Sequence, residues 1–522
     1  MTLFNRLFGR KKPALLDKFD YLFLVPGLVV YSAVTLWTIT KSSIWFDEAF
    51  GAYLIRFDFF DIAKYTAADV HPPMSYWLLK LWSMLFGTSE LALRSMSVFF
   101  GVTAIIIGYL LVKRLFNQKA AVISLIFMAL SPMLVRYGQE ARMYTLVVTI
   151  ALAATYVLII AMNSSKRLPW IIYGVLVGLG MWTHYFVAIV WLAHWVWRAD
   201  VIRRIAKKGK FIKTFFSKNW IIAHLVAIGI FLPWLPYMLT QLTVVQAFGF
   251  WIPPVTPDTP INFMTNVIYY QDVGQVTGWM TAAFVALSII LGILSFRLYR
   301  SLDDTKKQNY RLIMAIAFVP MILLIALSMP PLRSSFIDRY LMTSVVGIML
   351  FIGVTFALGA KYLGKKMRII VPSILVIMMV IGVANVWIMG NYNKNEHSSK
   401  QTRQIIEKAS AIGTVGQPII AETPWLYYEA AFYSTNNHPV YYIDPIEYNF
   451  GSLAMLKNDD YGKIKDITAF TAEHPTLWYI AYSKSGDVKK PYDNWRVIQE
   501  ITLDDPINGG PEYKAIQYSV AD

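Results

Sequence analysis

The 522-residue sequence contains no cysteine, and only 15% of its residues are charged. A chain without thiols has no disulfide framework, no iron–sulfur cluster and no cysteine-bound zinc. Soluble domains usually have about a quarter of their residues charged, so the low charge content excludes an ordinary soluble protein. A Gly-rich phosphate loop is also lacking, because "IGTVGQ" matches neither G-x-G-x-x-G nor the Walker A pattern.

Hydrophobic residues, by contrast, make up 56% of the chain and are concentrated in long runs. A helix that crosses a bilayer needs roughly 20 such residues. The fold class predicted is therefore a polytopic α-helical membrane protein. We predict eleven spans, at residues 20–40, 91–113, 119–135, 142–162, 170–183, 186–198, 220–240, 277–296, 311–330, 340–360 and 368–390.

The net charge of +16 follows the predicted topology. Most lysines and arginines fall in alternate connections between the spans, which the positive-inside rule assigns to the cytoplasm. The N-terminus is then cytoplasmic, and the loops at 41–90 and 241–276 are external. This distribution makes the basic surplus a topology signal and argues against a nucleic-acid partner.

The composition changes after residue 390, where short strand-like and helical stretches alternate with Gly, Pro, Asn and Asp. We predict two domains: a transmembrane domain at 1–390 and a small extracytoplasmic α/β domain at 391–522.

Two adjacent acids stand out in the first external loop, Asp47 and Glu48 in "SIWFDEAFGAY". Ionisable groups near membrane depth are costly and tend to be functional, although loop acids that cap a helix are the plain alternative. Helical neighbours point about 100° apart. One acid is therefore expected to face the site while the other supports it.

The same loop contains "DVHPPMSYWLLKLW", in which two prolines precede an aromatic, amphipathic helix. His71 is a candidate metal ligand, base or hydrogen-bond donor. The alternative is a purely structural histidine.

Three further external connections contain polar residues. "SPMLVRYGQEARMYTL" holds Glu140, Arg142 and Tyr144 and is expected to open the fourth span, where an acid would also suit the helix dipole. "GMWTHYF" holds His184, and "RSSFIDRYL" holds Arg339. Arginine binds phosphate oxygens through a planar fork. Acids, histidines and arginines on one face predict a substrate with a phosphate and a membrane-embedded tail.

The ordered set of these motifs, together with "RSMSVFFGVTAIIIGYLLVKRLF", resembles GT-C membrane glycosyltransferases. The resemblance is to the branch of protein O-mannosyltransferases (the dolichyl-phosphate-mannose-protein mannosyltransferase family) and lipid A aminoarabinose transferases, and is strongest to its bacterial RgtA/B/C/D-like members.

The resemblance implies a polyprenyl-phosphate sugar donor and assigns roles to residues. Asp47 matches a catalytic base, or a group that positions the acceptor and a metal, and Glu48 completes an Asp-Glu pair. His71 matches a His-Pro-Pro segment, Glu140 and Arg142 match a Glu-Ala-Arg segment, and Arg339 matches an arginine that holds the lipid phosphate. Met74, Ser75 and Tyr76 depart from the Leu-Gly-Lys usual in protein O-mannosyltransferases, which weakens the case for a protein acceptor.

The predicted function is transfer of a hexose or pentose to an extracytoplasmic acceptor (glycan, lipid, wall polymer or protein) with inversion, in a bacterial plasma membrane. Asp47 and Glu48 are the predicted catalytic residues. The predicted substrate and lipid-phosphate ligands are His71, Glu140, Arg142, Tyr144, His184 and Arg339. A divalent cation on Asp47, Glu48 and His71 is an optional cofactor. A transporter or flippase of lipid-linked saccharides is the main alternative.

Overall fold

The computed structural model describes residues 16–248, 251–270, 278–389, 401–435, 437–444, 446–459, 462–482, 488–504 and 511–520. It is mostly helical and contains one five-stranded sheet. The chain divides into two units. Unit 1 comprises Met1–Trp37, Ser95–Gln139 and Met143–Ile388, and unit 2 comprises Thr38–Arg94, Glu140–Arg142 and Met389–Asp522. The predicted domain boundary at 390/391 lies outside the described residues.

Unit 1 is built from helices, many of them long and apolar. Their bounds are Lys18–Leu36, Glu90–Leu115 (whose first residues belong to unit 2), Gln118–Ala129, Pro132–Gly138, Tyr144–Met162, Leu168–Thr183, Val187–Ile205, Phe211–Phe215, Lys218–Phe231, Leu235–Phe248, Thr259–Tyr269, Gly278–Ser301, Asp304–Leu327, Met342–Gly359 and Met367–Met389. Short 3₁₀ segments occupy Leu232–Trp234, Asp338–Leu341 and Ala360–Tyr362.

A helix lies at each of the eleven predicted spans. Within the described part of the chain, eight helices are long and apolar enough to cross a membrane, or nine if one bent pair is a single span. The other two positions differ for separate reasons: Leu168–Thr183 is short, and Val187–Ile205 contains four charged residues near its end. Multiple membrane-spanning helices are therefore confirmed, while the count of eleven stays a prediction.

The bent pair lies where the sequence places Ser131-Pro132. Gln118–Ala129 and Pro132–Gly138 meet at 58°. Ser131 has an extended backbone, and its hydroxyl accepts a hydrogen bond from the Leu134 amide, which makes it the N-cap of the second helix. Proline at the first helical position fits this geometry because its missing N–H would have no helical partner.

Met342–Gly359 is the central helix of unit 1, with nearly all of its residues buried. It packs against Gln118–Ala129 and Asp304–Leu327. Two glycines allow this approach: a Cβ on Gly353 would lie 2.4 Å from the Cα of Ser124, and a Cβ on Gly347 would lie 2.8 Å from the backbone of Ala317. Small residues at such contacts are typical of membrane helices, since they let backbones come close.

Unit 2 begins with three helices in the first predicted external loop, Phe46–Leu54, Phe59–Ala68 and Met74–Phe86. Asp58 caps the second of these by accepting hydrogen bonds from the amides of Phe60 and Asp61, at 2.8 and 2.9 Å. The C-terminal part of the unit adds the helices Thr402–Ile412, Pro424–Tyr433, Ala454–Asp459 and Ile467–Glu473.

The strands of unit 2 are β1 (Ile419–Ala421), β2 (Val440–Tyr442), β3 (Thr476–Tyr482), β4 (Arg496–Asp504) and β5 (Pro511–Ser519). They form one sheet in the order β2-β1-β3-β5-β4. β1 pairs in parallel with β2 and β3, whereas β5 is antiparallel to both β3 and β4. A buried cluster that includes Leu477, Trp495 and Tyr518 forms its core.

Candidate active site

The helix Phe46–Leu54, here called the acid helix, carries Asp47 and Glu48 in its first turn. Glu48 is fully buried and accepts two hydrogen bonds from Arg94, at 2.9 Å to Oε1 and 2.7 Å to Oε2. Oε1 also accepts from the amide of Ala141 at 2.8 Å. The Glu48 carboxylate is therefore engaged inside the protein, where it joins the acid helix to two other segments.

Arg94 uses the rest of its guanidinium to hold the chain that leads into the acid helix. It donates to the carbonyls of Ile39, Ser42 and Ser43, at 2.7, 2.9 and 3.1 Å. Its side chain is fully buried, like that of Glu48. A buried ion pair needs such complete hydrogen bonding, because both charges have lost their water.

Asp47 has a different environment from Glu48. Its side chain is 16% exposed, and its Oδ2 lies 3.8 Å from Nη2 of Arg142. Arg142 also donates to the Asp47 carbonyl at 3.1 Å and to the Tyr76 hydroxyl at 3.0 Å. The result is a partly open carboxylate beside a buried guanidinium that is itself held by backbone and phenol oxygens.

Asp69 is a third acid in this region, at the end of the helix Phe59–Ala68. Burial raises the pKa of Asp69 to about 6; the charge of Arg142 opposes the rise and that of Asp47 adds to it. The Ser452 hydroxyl donates to Asp69 at 3.1 Å. His71 follows two residues later, buried, just before the helix that starts at Met74.

The sequence suggested that Glu140 and Arg142 open the fourth span, but the structure does not place them in that helix. That helix begins at Tyr144, and both residues lie in the connection before it. Both are buried. The connection is held because the Ala141 amide donates to Glu48 and the Arg142 guanidinium contacts Asp47, so these contacts compete with continuation of the helix.

The predicted metal ligands do not form a metal site. Among the residues that the structure describes, no group of three or more His, Cys, Asp or Glu side chains is arranged to hold a metal ion. Glu48 is turned toward Arg94 and the Ala141 amide, so the set Asp47, Glu48 and His71 does not fit a divalent cation.

Unit 1 brings together the other predicted residues. The Arg339 guanidinium lies 6.0 Å from the ring centre of Tyr144 and 5.4 Å from that of Trp251. The His184 ring lies 4.9 Å from that of Tyr340, the neighbour of Arg339. Arg339 and His184 are both buried. We call Tyr144, His184, Arg339 and Tyr340 the arginine cluster.

Arg136 is a second buried arginine near Tyr144. Its guanidinium lies 5.2 Å from the ring centre of Tyr137, and that ring packs edge-on against Tyr144 at 5.2 Å. Its Nε donates to the Tyr270 hydroxyl at 3.0 Å. The region around Tyr144 therefore contains two positive charges that are largely removed from solvent.

Sequence reasoning did not select Arg94, Asp69 or Arg136 as site residues. Each had a detectable signal: Arg94 is a lone arginine near the start of an apolar run, Asp69 lies two residues before His71 in the same short segment, and Arg136 lies in a predicted external turn. The partners of these residues are distant in sequence, so only the fold identifies them.

Comparison with known proteins finds a matching family profile and several related sequences. The family profile of dolichyl-phosphate-mannose-protein mannosyltransferases matches residues 70–237. A Pseudomonas fluorescens protein named undecaprenyl phosphate-α-4-amino-4-deoxy-L-arabinose arabinosyl transferase 2 is 25% identical over 190 residues, 34% of this chain and 30% of that protein. A Pseudomonas savastanoi transferase of the corresponding name is 24% identical over 189 residues, 34% of this chain and 33% of that protein. The alignments thus span about a third of these relatives.

The structural similarity is more extensive. The crystal structure of ArnT from Cupriavidus metallidurans bound to undecaprenyl phosphate aligns with a TM-score of 0.63 and 12% identity, over 97% of this chain and 98% of that one. The same protein in its apo state gives a TM-score of 0.60. The predicted resemblance is confirmed in the fold, which the chain shares with ArnT.

Proposed function

We propose that this protein is an integral membrane glycosyltransferase that moves a hexose or pentose from a polyprenyl-phosphate donor to a hydroxyl acceptor, with inversion at the anomeric carbon. The observation that carries the proposal is the partly exposed Asp47 carboxylate beside buried Arg142, on a helix fixed by the Glu48–Arg94 pair. The GT-C fold and the name of the arabinosyl transferase relative support a lipid-linked donor.

Asp47 is the proposed general base. The acceptor oxygen forms a bond to the anomeric carbon, its proton passes to a carboxylate oxygen of Asp47, and the bond from the anomeric carbon to the lipid phosphate breaks. Proton transfer to a positioned side chain contributes about 10²–10⁴-fold to such a step. Arg142 orients the carboxylate, since its guanidinium contacts both the side chain and the carbonyl of Asp47.

Glu48 is proposed to support Asp47 without contacting the substrate, because both of its oxygens accept hydrogen bonds from Arg94. No step is assigned to a metal ion, since the residues predicted to bind one do not converge. His71 and Glu140, buried in the same unit as Asp47, remain proposed substrate-side residues.

The arginine cluster is proposed to bind the lipid phosphate. Arg339 of the cluster and the nearby Arg136 are buried cations, and arginine binds phosphate oxygens through its planar guanidinium. Tyr144 and His184 add ring and hydrogen-bonding groups to the same cluster. The departing phosphate gathers charge during the reaction, so fixed cations at this position would stabilise its transition state.

The test is acceptor-dependent release of polyprenyl phosphate by the purified protein, with polyprenyl-phosphate hexose or pentose as donor and membrane glycolipid as acceptor. We expect Asp47→Asn to lower turnover at least 100-fold. Asp61→Asn is the matched control, because Asp61 is an acid in the same loop that forms no part of the cluster around Asp47, and it should retain full activity.

Two results would count against the proposal. Near-normal turnover of Asp47→Asn would remove Asp47 from the role of base. Movement of intact lipid-linked saccharide between leaflets of a vesicle, with no release of polyprenyl phosphate, would favour the transporter alternative.

A further inference from the structure

The C-terminal part of unit 2 reaches the segment that leads into the acid helix. Tyr433 ends the helix Pro424–Tyr433, and its buried hydroxyl accepts a hydrogen bond from the Ile44 amide at 2.5 Å. The same hydroxyl donates to Oε1 of Glu90. Tyr433 therefore connects a residue three positions before Asp47 to a buried carboxylate.

Glu90 also binds a second residue from the C-terminal part. Its Oε2 lies 2.7 Å from Nη1 of Arg403. The Arg403 backbone amide donates to the Ser43 hydroxyl at 3.0 Å, and its guanidinium donates to the Thr40 carbonyl at 3.3 Å. Residues 40–44 are thus held from one side by Arg403 and Tyr433.

Arg94 holds the same segment from the other side. Glu90 and Arg94 are four residues apart on the helix Glu90–Leu115, so they occupy one face. The charges alternate in the order Arg403, Glu90, Arg94 and Glu48, and the last of these belongs to the acid helix. A change at Arg403 or Tyr433 is therefore transmitted to the first turn of the acid helix through paired, buried groups.

The acid helix cannot orient itself. It has nine residues, and isolated helices shorter than about 12–15 residues are marginal in water. A catalytic group must be held within about 0.5 Å of its productive position. Contacts from outside the helix must supply that precision, and Tyr428 adds to them by packing its ring 5.8 Å from Phe46.

We propose that Tyr433 and Arg403 are positioning residues for Asp47, so that the C-terminal α/β region is an integral part of the active site. The proposal rests on the proposed glycosyltransferase function. It assigns these residues no contact with the substrate: they act through Ile44, Glu90 and Arg94 on the geometry of the acid helix.

The test is Tyr433→Phe in the full-length protein, which deletes one hydroxyl and keeps the ring. We expect kcat to fall on the order of tenfold, as for loss of a hydrogen bond to a charged group, while KM for the donor changes less than about twofold. Amide hydrogen exchange of peptides covering residues 40–54 should become faster. Tyr513→Phe is the matched control, because that buried phenol bonds to Thr402 within the α/β region; kcat and exchange should match wild type.

A second pair of variants keeps the proposal testable if Tyr433→Phe folds poorly. Arg403→Lys retains the charge opposite Glu90 and should preserve more of kcat and of the exchange protection than Arg403→Met. Wild-type kcat and wild-type exchange in Tyr433→Phe, or equal losses in the two Arg403 variants, would overturn the proposal. Inactive wild-type protein would instead refute the glycosyltransferase function, and the exchange measurement would still report on positioning.

Discussion

Replacement of Arg94 by methionine should destabilise the protein more than replacement of both members of its ion pair. Arg94→Met leaves the Glu48 carboxylate fully buried with only the Ala141 amide and a long contact, 3.4 Å, from the Trp45 amide. It also leaves the carbonyls of Ile39, Ser42 and Ser43 without their donor. The double variant Glu48→Gln/Arg94→Met removes the charge and should recover part of the loss.

The magnitude follows from burial. Breaking a buried ion pair by removing one partner costs about 3–5 kcal/mol, because an uncompensated charge remains. For a unit of roughly 200 residues, each kcal/mol lowers the melting temperature by about 2–4 °C. We therefore expect Arg94→Met to lower the melting temperature by roughly 6–20 °C, with a smaller decrease for the double variant.

The assay is thermal unfolding in detergent, followed by the intrinsic fluorescence of the 17 tryptophans. Lys306→Met is the matched control, since its pair with Asp303 is about half exposed on both sides; such pairs contribute about 0–1 kcal/mol. A melting temperature of Arg94→Met within 1 °C of that control would refute the reasoning, as would a double variant less stable than Arg94→Met.

Two further predictions concern stability. The pKa of Asp69 is raised from 3.8 to about 6, so the folded protein binds this proton more tightly than the unfolded chain does. The contribution of Asp69 to the free energy of unfolding is then greatest below about pH 4. This contribution, up to about 3 kcal/mol, is lost as the pH rises through about 6. The melting temperature of the wild-type protein, relative to that of Asp69→Asn, should therefore fall progressively between pH 4 and pH 7. The same pH dependence of the melting temperature in both proteins would contradict this. In unit 1, a Cβ on Gly174 would lie 2.3 Å from the Ala223 carbonyl oxygen, whereas one on Gly229 meets nothing within 4 Å. Gly174→Ala should be destabilised by about 1–3 kcal/mol and Gly229→Ala should not, and equal melting temperatures would show that the helices separate freely.

Much of the helical architecture could be predicted from the sequence, because an apolar run that crosses a bilayer must satisfy its backbone hydrogen bonds internally, which a helix does. The GT-C resemblance followed from motif order and is confirmed by the shared fold. The predicted start of the fourth span was less accurate. Glu140 and Arg142 were assigned to the helix, but their contacts with the acid helix hold them in an irregular connection before Tyr144.

The candidate site was predicted less completely. Asp47 and Arg142 were both selected, and their approach to 3.8 Å brings together residues that are 95 positions apart. Their roles stay predictions until turnover is measured. Asp47, Glu48 and His71 do not form a metal-holding group in the part of the chain that the structure describes, and no sequence pattern indicates that Glu48 turns its carboxylate toward Arg94. Asp69, Arg136 and Tyr433 were missed because the role of a buried polar residue depends on partners that lie far away in the chain.

By itself, the sequence determined the class of protein: low charge and long apolar runs require a membrane, and the chemistry-bearing residues are concentrated in a few connections between those runs. Only the tertiary structure decided what each polar residue does there. The adjacent acids lie in different environments: Glu48 is buried against Arg94, and Asp47 is partly open beside Arg142. The physical reason is that hydrophobicity is a local property of the chain, whereas the state of a buried charge depends on the partners that the fold brings to it.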